Sequence, residues 1–319
     1  MFTSLLAATD RITASDPVVV TAARLAGARE VSWAIIHVLE SASLTNRQQV
    51  LHFRTGEVQA ADEAYLAEVG EQLRRTYADL LAWAPPCELK ITTGFPWEEI
   101  ASQAERRDAD LIVMGPHAEA GGQRAALRTV GRIGSTVEGV INREHAPVLI
   151  IREHPCRPKP AFKRILVGID FSASCKCALA FAGELARFYH GAVDLFHMLP
   201  VPPYPKYSRA DYDADRTEAL SRMKSLAHRR LADIPRQYHI WGGALPYQEL
   251  FKCAAKCSPD ALVLGSHTKE TQGKWYAGST VEKISAQATC PVFVLSAGEA
   301  CPALPETGSE GGSESPAIR

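Results

Sequence analysis

DALVLGSH, residues 260–267, has a counterpart in DLIVMGPH, residues 110–117. Each runs from an Asp through four apolar residues to a Gly and ends on a His. Short, branched apolar runs of this kind read as strands buried on both faces. Four further pairs of segments flank this one in the same order. SLLAATD ends at Asp10 and RILVGID at Asp170; IIHVL holds His37 and LFHML holds His197. The Asp-to-His interval is 27 positions in both halves. GSTVE stands at Gly134–Glu138 and again at Gly278–Glu282, and APVLII from Ala146 matches CPVFVL from Cys290. From the Glu of GSTVE to the following Pro is 9 positions in both. Ordered landmarks with equal spacings identify a duplication.

The spaces between these strands carry helical patterns. Leu66, Val69, Leu73, Tyr77 and Leu80 follow a three-four spacing and predict one helix. Leu220, Met223, Leu226, Arg230 and Leu231 follow it less cleanly, and Ala178, Phe181, Leu185 and Phe188 predict a helix after Asp170. Strands alternating with helices, joined by right-handed crossovers, give α/β architecture: two doubly wound, Rossmann-like, five-stranded parallel-sheet domains. The boundaries fall at 1–151 and 162–297. The proline-bearing stretch 152–161 is the linker, and the Gly/Ser/Glu/Pro-rich 298–319 is expected to be disordered. The last strand of each domain should lie at an edge. Val148–Ile151 and Val292–Leu295 are therefore expected to pair the domains with each other.

Composition narrows the function. The chain has 319 residues, a formal net charge of -1 and 22% charged residues, so nothing draws it to nucleic acid. No apolar run approaches the roughly 20 residues that span a bilayer. The opening MFTSLLAATDRITASDP lacks a basic segment before an apolar stretch, so no leader is expected. Eight cysteines without a disulfide framework suit a reducing cytoplasm. Cys175 and Cys177 lie near Asp170 without an evident four-ligand set, and Cys253 and Cys257 fall on one helix face, the spacing of a packed core. No P-loop, GxGxxG, nucleophile elbow or HExxH is present.

Ligands of doubly wound sheets bind at the carboxyl ends of strands, where strand order reverses. Asp10 and Asp170 end the first strands, Gly115 and Gly265 the fourth, and the GSTVE segments open helices after them. A Gly-Ser-Thr helix start can hold an anion on its amides and hydroxyls. Ser135 with Glu138, or Ser279 with Glu282, can equally form a capping box that needs no ligand. Asp170 reads as a ribose or adenine acceptor or as a turn cap. His37 and His197 read as core histidines, and His117 and His267 as loop residues at the mouth of the cleft.

These segments resemble the universal stress protein family over nearly the whole chain. The resemblance rests on Asp170-Phe171-Ser172, the DALVLGSH strand, and GST before the helix leading to CPVFVL. It implies two adenine-nucleotide-alpha-hydrolase-like domains in a pseudo-twofold pair. Nucleotide-binding members carry G-x2-G-x9-G-[S/T] after the fourth strand. Here this lays out as Gly265, Thr268, Gly278 and Ser279, with threonine in place of the second glycine. The resemblance implies that Asp170, Phe171 and Ser172 meet the adenosine part and that the backbone at Met198 faces the base. Gly265, His267, Thr268, Gly278, Ser279 and Thr280 would hold phosphates. The equivalent second site would be Asp10, Val38, Gly115, His117, Gly134, Ser135 and Thr136. It departs further: Pro116 removes an amide, Ala118 replaces the second glycine, Ile12 stands where Ser172 does, and the loop from Gly115 to Gly134 spans 19 positions against 13 from Gly265 to Gly278. Arg124, Arg128 and Arg132 in that loop read as a solvated face or as phosphate contacts.

The expected function is a cytoplasmic stress-response regulatory protein that binds ATP or a related adenine nucleotide, with Mg2+ as an accompanying ion, most readily in the second domain. It is not expected to be an enzyme. The rival readings are a scaffold of the same fold that binds no nucleotide and, behind it, a slow ATPase. The expected partners are the nucleotide and a second copy in a homodimer, with no nucleic acid and no membrane. The stretches 118–133 and 200–215 are candidate recognition loops.

Overall fold

The computed structural model describes residues 1–10, 14, 16–27, 31–43, 48–52, 55–116, 133–143, 146–152, 161–200, 207–266 and 278–297. His117, His267, Thr268, Ile12, Arg124, Arg128, Arg132, most of the linker and the C-terminal stretch lie outside them.

The first half runs β1 (Ser4–Ala8), α1 (Pro17–Gly27), β2 (Ser32–Glu40), the hairpin β3 (Gln49–Leu51) and β4 (Val58–Ala60), α2 (Glu63–Thr76), α3 (Ala78–Trp83), β5 (Cys87–Gly94), α4 (Pro96–Arg106), β6 (Leu111–Met114), α5 (Ser135–Arg143) and β7 (Val148–Ile150). The second runs β8 (Arg164–Gly168), α6 (Ala173–Tyr189), β9 (Ala192–Pro200), α7 (Arg209–Arg230), β10 (Arg236–Gly243), α8 (Pro246–Cys257), β11 (Ala261–Ser266), α9 (Ser279–Gln287) and β12 (Val292–Ser296).

The ten principal strands form one sheet in the order β10-β9-β8-β11-β12-β7-β6-β1-β2-β5. Each half orders its own strands third, second, first, fourth, fifth, and every pair within a half is parallel. The two halves meet at β12 and β7, which run antiparallel with Val292 opposite Ile150, Phe293 opposite Leu149 and Val294 opposite Val148. Neither apolar last strand is then left as an open edge.

Strand side chains alternate between faces, and both faces are covered. Leu5, Ala7, Leu111, Val113, Ile165, Val167 and Phe293 pack with α1, α2, α3, α6 and α7. Leu6, Ala8, Ile112, Met114, Leu166, Leu262, Leu264 and Val294 pack with α4, α5, α8 and α9. This explains the near-continuous apolar reading of the strands.

The predicted single helix over residues 66–80 is two helices. Tyr77, at φ -99 and ψ 10, divides α2 from α3. Its ring is fully buried, and its hydroxyl lies 3.4 Å from Asp16 and from Thr9. The apolar spacing survives because the break is one residue long. The corresponding α7 is unbroken and starts in a capping box formed by Ser208 and Asp211.

Candidate functional site

In the second half, β8 and β11 are neighbours whose following helices leave on opposite faces: α6 packs on one and α9 on the other. That is where the strand order reverses, the place at which doubly wound sheets take their ligands.

One lip holds Asp170, Phe171 and Ser172. Asp170 is exposed, and its Oδ1 accepts from the Ser172 amide at 3.0 Å and the Ser172 hydroxyl at 2.6 Å. Ser172 Oγ in turn accepts from the Cys175 amide at 3.0 Å and caps α6. The turn-capping reading of Asp170 is thus realised. Phe171 has φ 66, a left-handed conformation rare for a bulky residue. Its ring lies 4.7 Å from that of His197, and the Arg222 guanidinium stands 4.1 Å from its centroid. This aromatic–cation stack was not visible in the sequence, because Arg222 arrives from α7.

The other lip is the start of α9. Gly278 is its N-cap, at φ 84 and ψ 142, with no side-chain cap bond. Of the two readings of this segment, the capping box between Ser279 and Glu282 is therefore not formed. Ser279 already sits in the first helical turn, and a glycine in the left-handed half of φ has taken the cap position. The Gly278 carbonyl accepts from the Glu282 amide at 3.0 Å. Among the described residues nothing accepts from the amides of Ser279, Thr280 and Val281. Open amides at a helix head favour an anion.

Gly265 has a different constraint. A Cβ there would lie 2.6 Å from the Cys175 amide nitrogen and 2.8 Å from the Ser174 carbonyl oxygen. Glycine lets β11 approach the backbone of α6, which joins the floor of the crevice to one lip. Met198 lies on β9 in register with Trp241 of β10, half-buried on the face covered by α8.

The first half places its equivalents alike but fills them differently. Asp10 is exposed, and the cap of α1 is Asp16, which the repeat did not reveal. Asp16 is buried, accepts from the Val18 amide at 2.8 Å, and takes a short hydrogen bond from the Thr9 hydroxyl. The dipeptide Asp16-Pro17, a cap followed by proline at the first helical position, was the readable signal. Val38 is half-buried on β2 opposite Thr92. Gly134 donates its amide to the Pro116 carbonyl at 2.8 Å and accepts from Glu138 at 3.1 Å, so it, not Ser135, precedes the helix. The ends of the long loop are thereby held together beside Gly115. Ser135 and Thr136 lie in the first turn of α5.

The two paired histidines occupy one structural position. His37 Nδ1 donates to the Thr9 carbonyl at 2.9 Å and His197 Nδ1 to the Ile169 carbonyl at 2.7 Å. Burial lowers the pKa of both below the ordinary histidine value, against the opposing pull of these carbonyls. Among the described residues the His37 Nε2 has no hydrogen-bond partner.

The expectation of a chain without disulfides is corrected at Cys177, which is disulfide-bonded. Cys175 is a buried free thiol that burial pushes up to about 11, so these two form no soft-metal pair. A cleft of about 540 Å³ lined by Lys224, His228, Ile234, Arg236 and Tyr238 opens near the start of β10, away from the crevice. No helix among the described residues is long and apolar enough to cross a membrane.

Comparison with known proteins gives a consistent result. The model of the family described as "Universal stress protein family" matches residues 1–152 and 161–296. A universal stress protein of Methanocaldococcus jannaschii is 32% identical over 98 residues, 31% of this chain and 54% of that protein, so the match spans about half of that relative's length. One of Thermus aquaticus is 28% identical over 139 residues, 42% of this chain and 98% of that protein. The solved structure of a universal stress protein from Archaeoglobus fulgidus is 20% identical, covers 92% of this chain and 98% of its own, and has a TM-score of 0.65, which speaks for the fold.

Proposed function

The chain belongs to the universal stress protein family, and from that premise we propose that it is a stress-response regulatory protein holding ATP or a closely related adenine nucleotide in the crevice of its second domain. The domains are 1–151 and 162–297, joined by 152–161. The observation that carries the reading is the head of α9, where Gly278 lacks a side-chain cap and, among the described residues, nothing accepts from the first-turn amides. Those amides, with the hydroxyls of Ser279 and Thr280, receive the phosphates. His267 and Thr268, which lie outside the described residues, belong to the same proposed phosphate set. Asp170, Phe171 and Ser172 form the adenosine side, and the Met198 backbone faces the base. Mg2+ would accompany the phosphates, with Asp170 the carboxylate at this lip. The role is binding and signalling rather than turnover. It acts in the cytoplasm, without nucleic acid or membrane. The last strands β7 and β12 hold its domains together, and a homodimer is the next level of assembly.

One observation favours the rival scaffold reading. Asp170 Oδ1 is already engaged by Ser172, so an adenosine contact needs its other oxygen or a rearranged turn. Ligand released from the full chain and identified by mass spectrometry, together with an ATP-dependent rise in melting temperature, separates the two. Adenine nucleotide in the released fraction supports the proposal. Its absence together with no melting shift leaves the scaffold.

A further inference from the structure

At the end of the second domain away from the crevice, three elements bring two thiols, an imidazole and a carboxylate together. Cys253 and Cys257 are one helical turn apart on α8 and both buried, with sulfurs 3.9 Å apart. His239, from β10, places Nε2 3.5 Å from the Cys257 sulfur. The two sulfurs and the imidazole nitrogen all lie within 4.8 Å of one another. Asp194, near the start of β9, puts Oδ1 2.7 Å from His239 Nε2.

We propose that Cys253, Cys257 and His239 form a three-ligand site for zinc or a similar borderline-soft divalent cation, with Asp194, which stands outside this group but against His239, moving in as the fourth ligand. A tetrahedral zinc with Zn–S of about 2.3 Å and Zn–N of about 2.0–2.1 Å sets S···S at about 3.8 Å and S···N at about 3.6 Å. The observed 3.9 and 3.5 Å match these edges. The oxygen–nitrogen edge must open from 2.7 Å to about 3.3 Å, which happens when the metal replaces the hydrogen bond between them. Binding releases both thiol protons, and His239 coordinates through Nε2 once its remaining proton sits on Nδ1. Two thiolates and a carboxylate around a dication leave one negative charge. Arg164 offsets it, because its Nε already holds Asp194 Oδ2 at 2.9 Å and fixes the carboxylate's direction. The His239 side chain is 21% exposed and provides the entry path. Packed Cys253 and Cys257 alone would need no His or Asp beside them. An imidazole within 4.8 Å of two buried thiols, and held by a buried carboxylate, is a donor set.

The test uses the full chain, freed of metal with a chelator and kept reduced, and titrated with Co2+ and then Zn2+. The expected result is a thiolate-to-cobalt charge-transfer band with tetrahedral ligand-field bands, saturating at one equivalent and bleached by Zn2+. The band should vanish in Cys253→Ala/Cys257→Ala and persist in Cys175→Ala and Cys290→Ala. His239→Gln, a change on a partly exposed strand position, covers the event that the double variant fails to fold; it should weaken zinc against a chromophoric chelator by at least about tenfold. No thiolate band in the wild type, a band unchanged in the double variant, or unaltered zinc affinity in His239→Gln would overturn the site.

Discussion

The two halves share a strand order and a histidine position, yet they close the same crevice by different means. In the first, the cap of α1 is Asp16, buried under Thr9 and Tyr77. In the second, the cap of α6 is Ser172, tied to an exposed Asp170 at the lip. The fourth-strand loops differ in the same sense. Gly134 is tied back to Pro116, whereas Gly278 stands at positive φ with no cap. A duplicated fold has thus kept its core and divided its strand ends into one internally satisfied copy and one with open donors.

The largest effect should come from cutting the internal network of the first copy. Asp16→Ala removes a helix cap and the carboxylate that two buried hydroxyls share, and urea denaturation should show a loss of about 2–3 kcal/mol. Ser172→Ala, on the exposed counterpart, should cost about 1 kcal/mol. Equal losses would break the comparison.

Gly278→Val forces a β-branched residue into the left-handed region and should abolish the ATP-dependent melting shift. Gly134 is not among the positive-φ glycines of the described residues, so Gly134→Val should leave that shift intact. Loss in both, or in neither, would remove the distinction between the two lips.

The histidines sharpen the comparison by pH. Above about pH 6.5 the ring is neutral in both folded and unfolded chains. Below it the unfolded chain takes a proton that the folded ring, with its lowered pKa, does not. Stability therefore falls as pH falls from about 6.5, until the folded ring itself titrates. His37 is 3% exposed and His197 half-buried, so His37→Gln should flatten the acid limb of a stability–pH curve more than His197→Gln. The smallest effects mark the floor. Arg75→Ala, which loses the exposed pair with Glu71, and Arg209→Ala, which loses that with Asp213, should each change stability by about 0.3–0.5 kcal/mol.

Much of the site was readable because its parts are local. The GST segments and the Asp residues ending β1 and β8 sit within short motifs whose neighbours set their geometry. The zinc cluster was not readable as a set. Cys253 and Cys257 announced a helix face, but Asp194 and His239 arrive from two strands that pair only in the folded sheet. The capping residue was misplaced for a related reason. Ser279 and Glu282 have the right types and spacing, and only the backbone at Gly278 decides where the helix begins.

From sequence alone came the duplication, the strand-and-helix alternation and the position of each strand end, because periodicity and turn chemistry are properties of neighbouring residues. Tertiary structure decided the rest. The burial of Asp16 beneath Tyr77, the stacking of Arg222 on Phe171 and the gathering of the metal donors all depend on which distant segments share a face. That is settled by burying apolar surface across the whole sheet, and no local pattern encodes it.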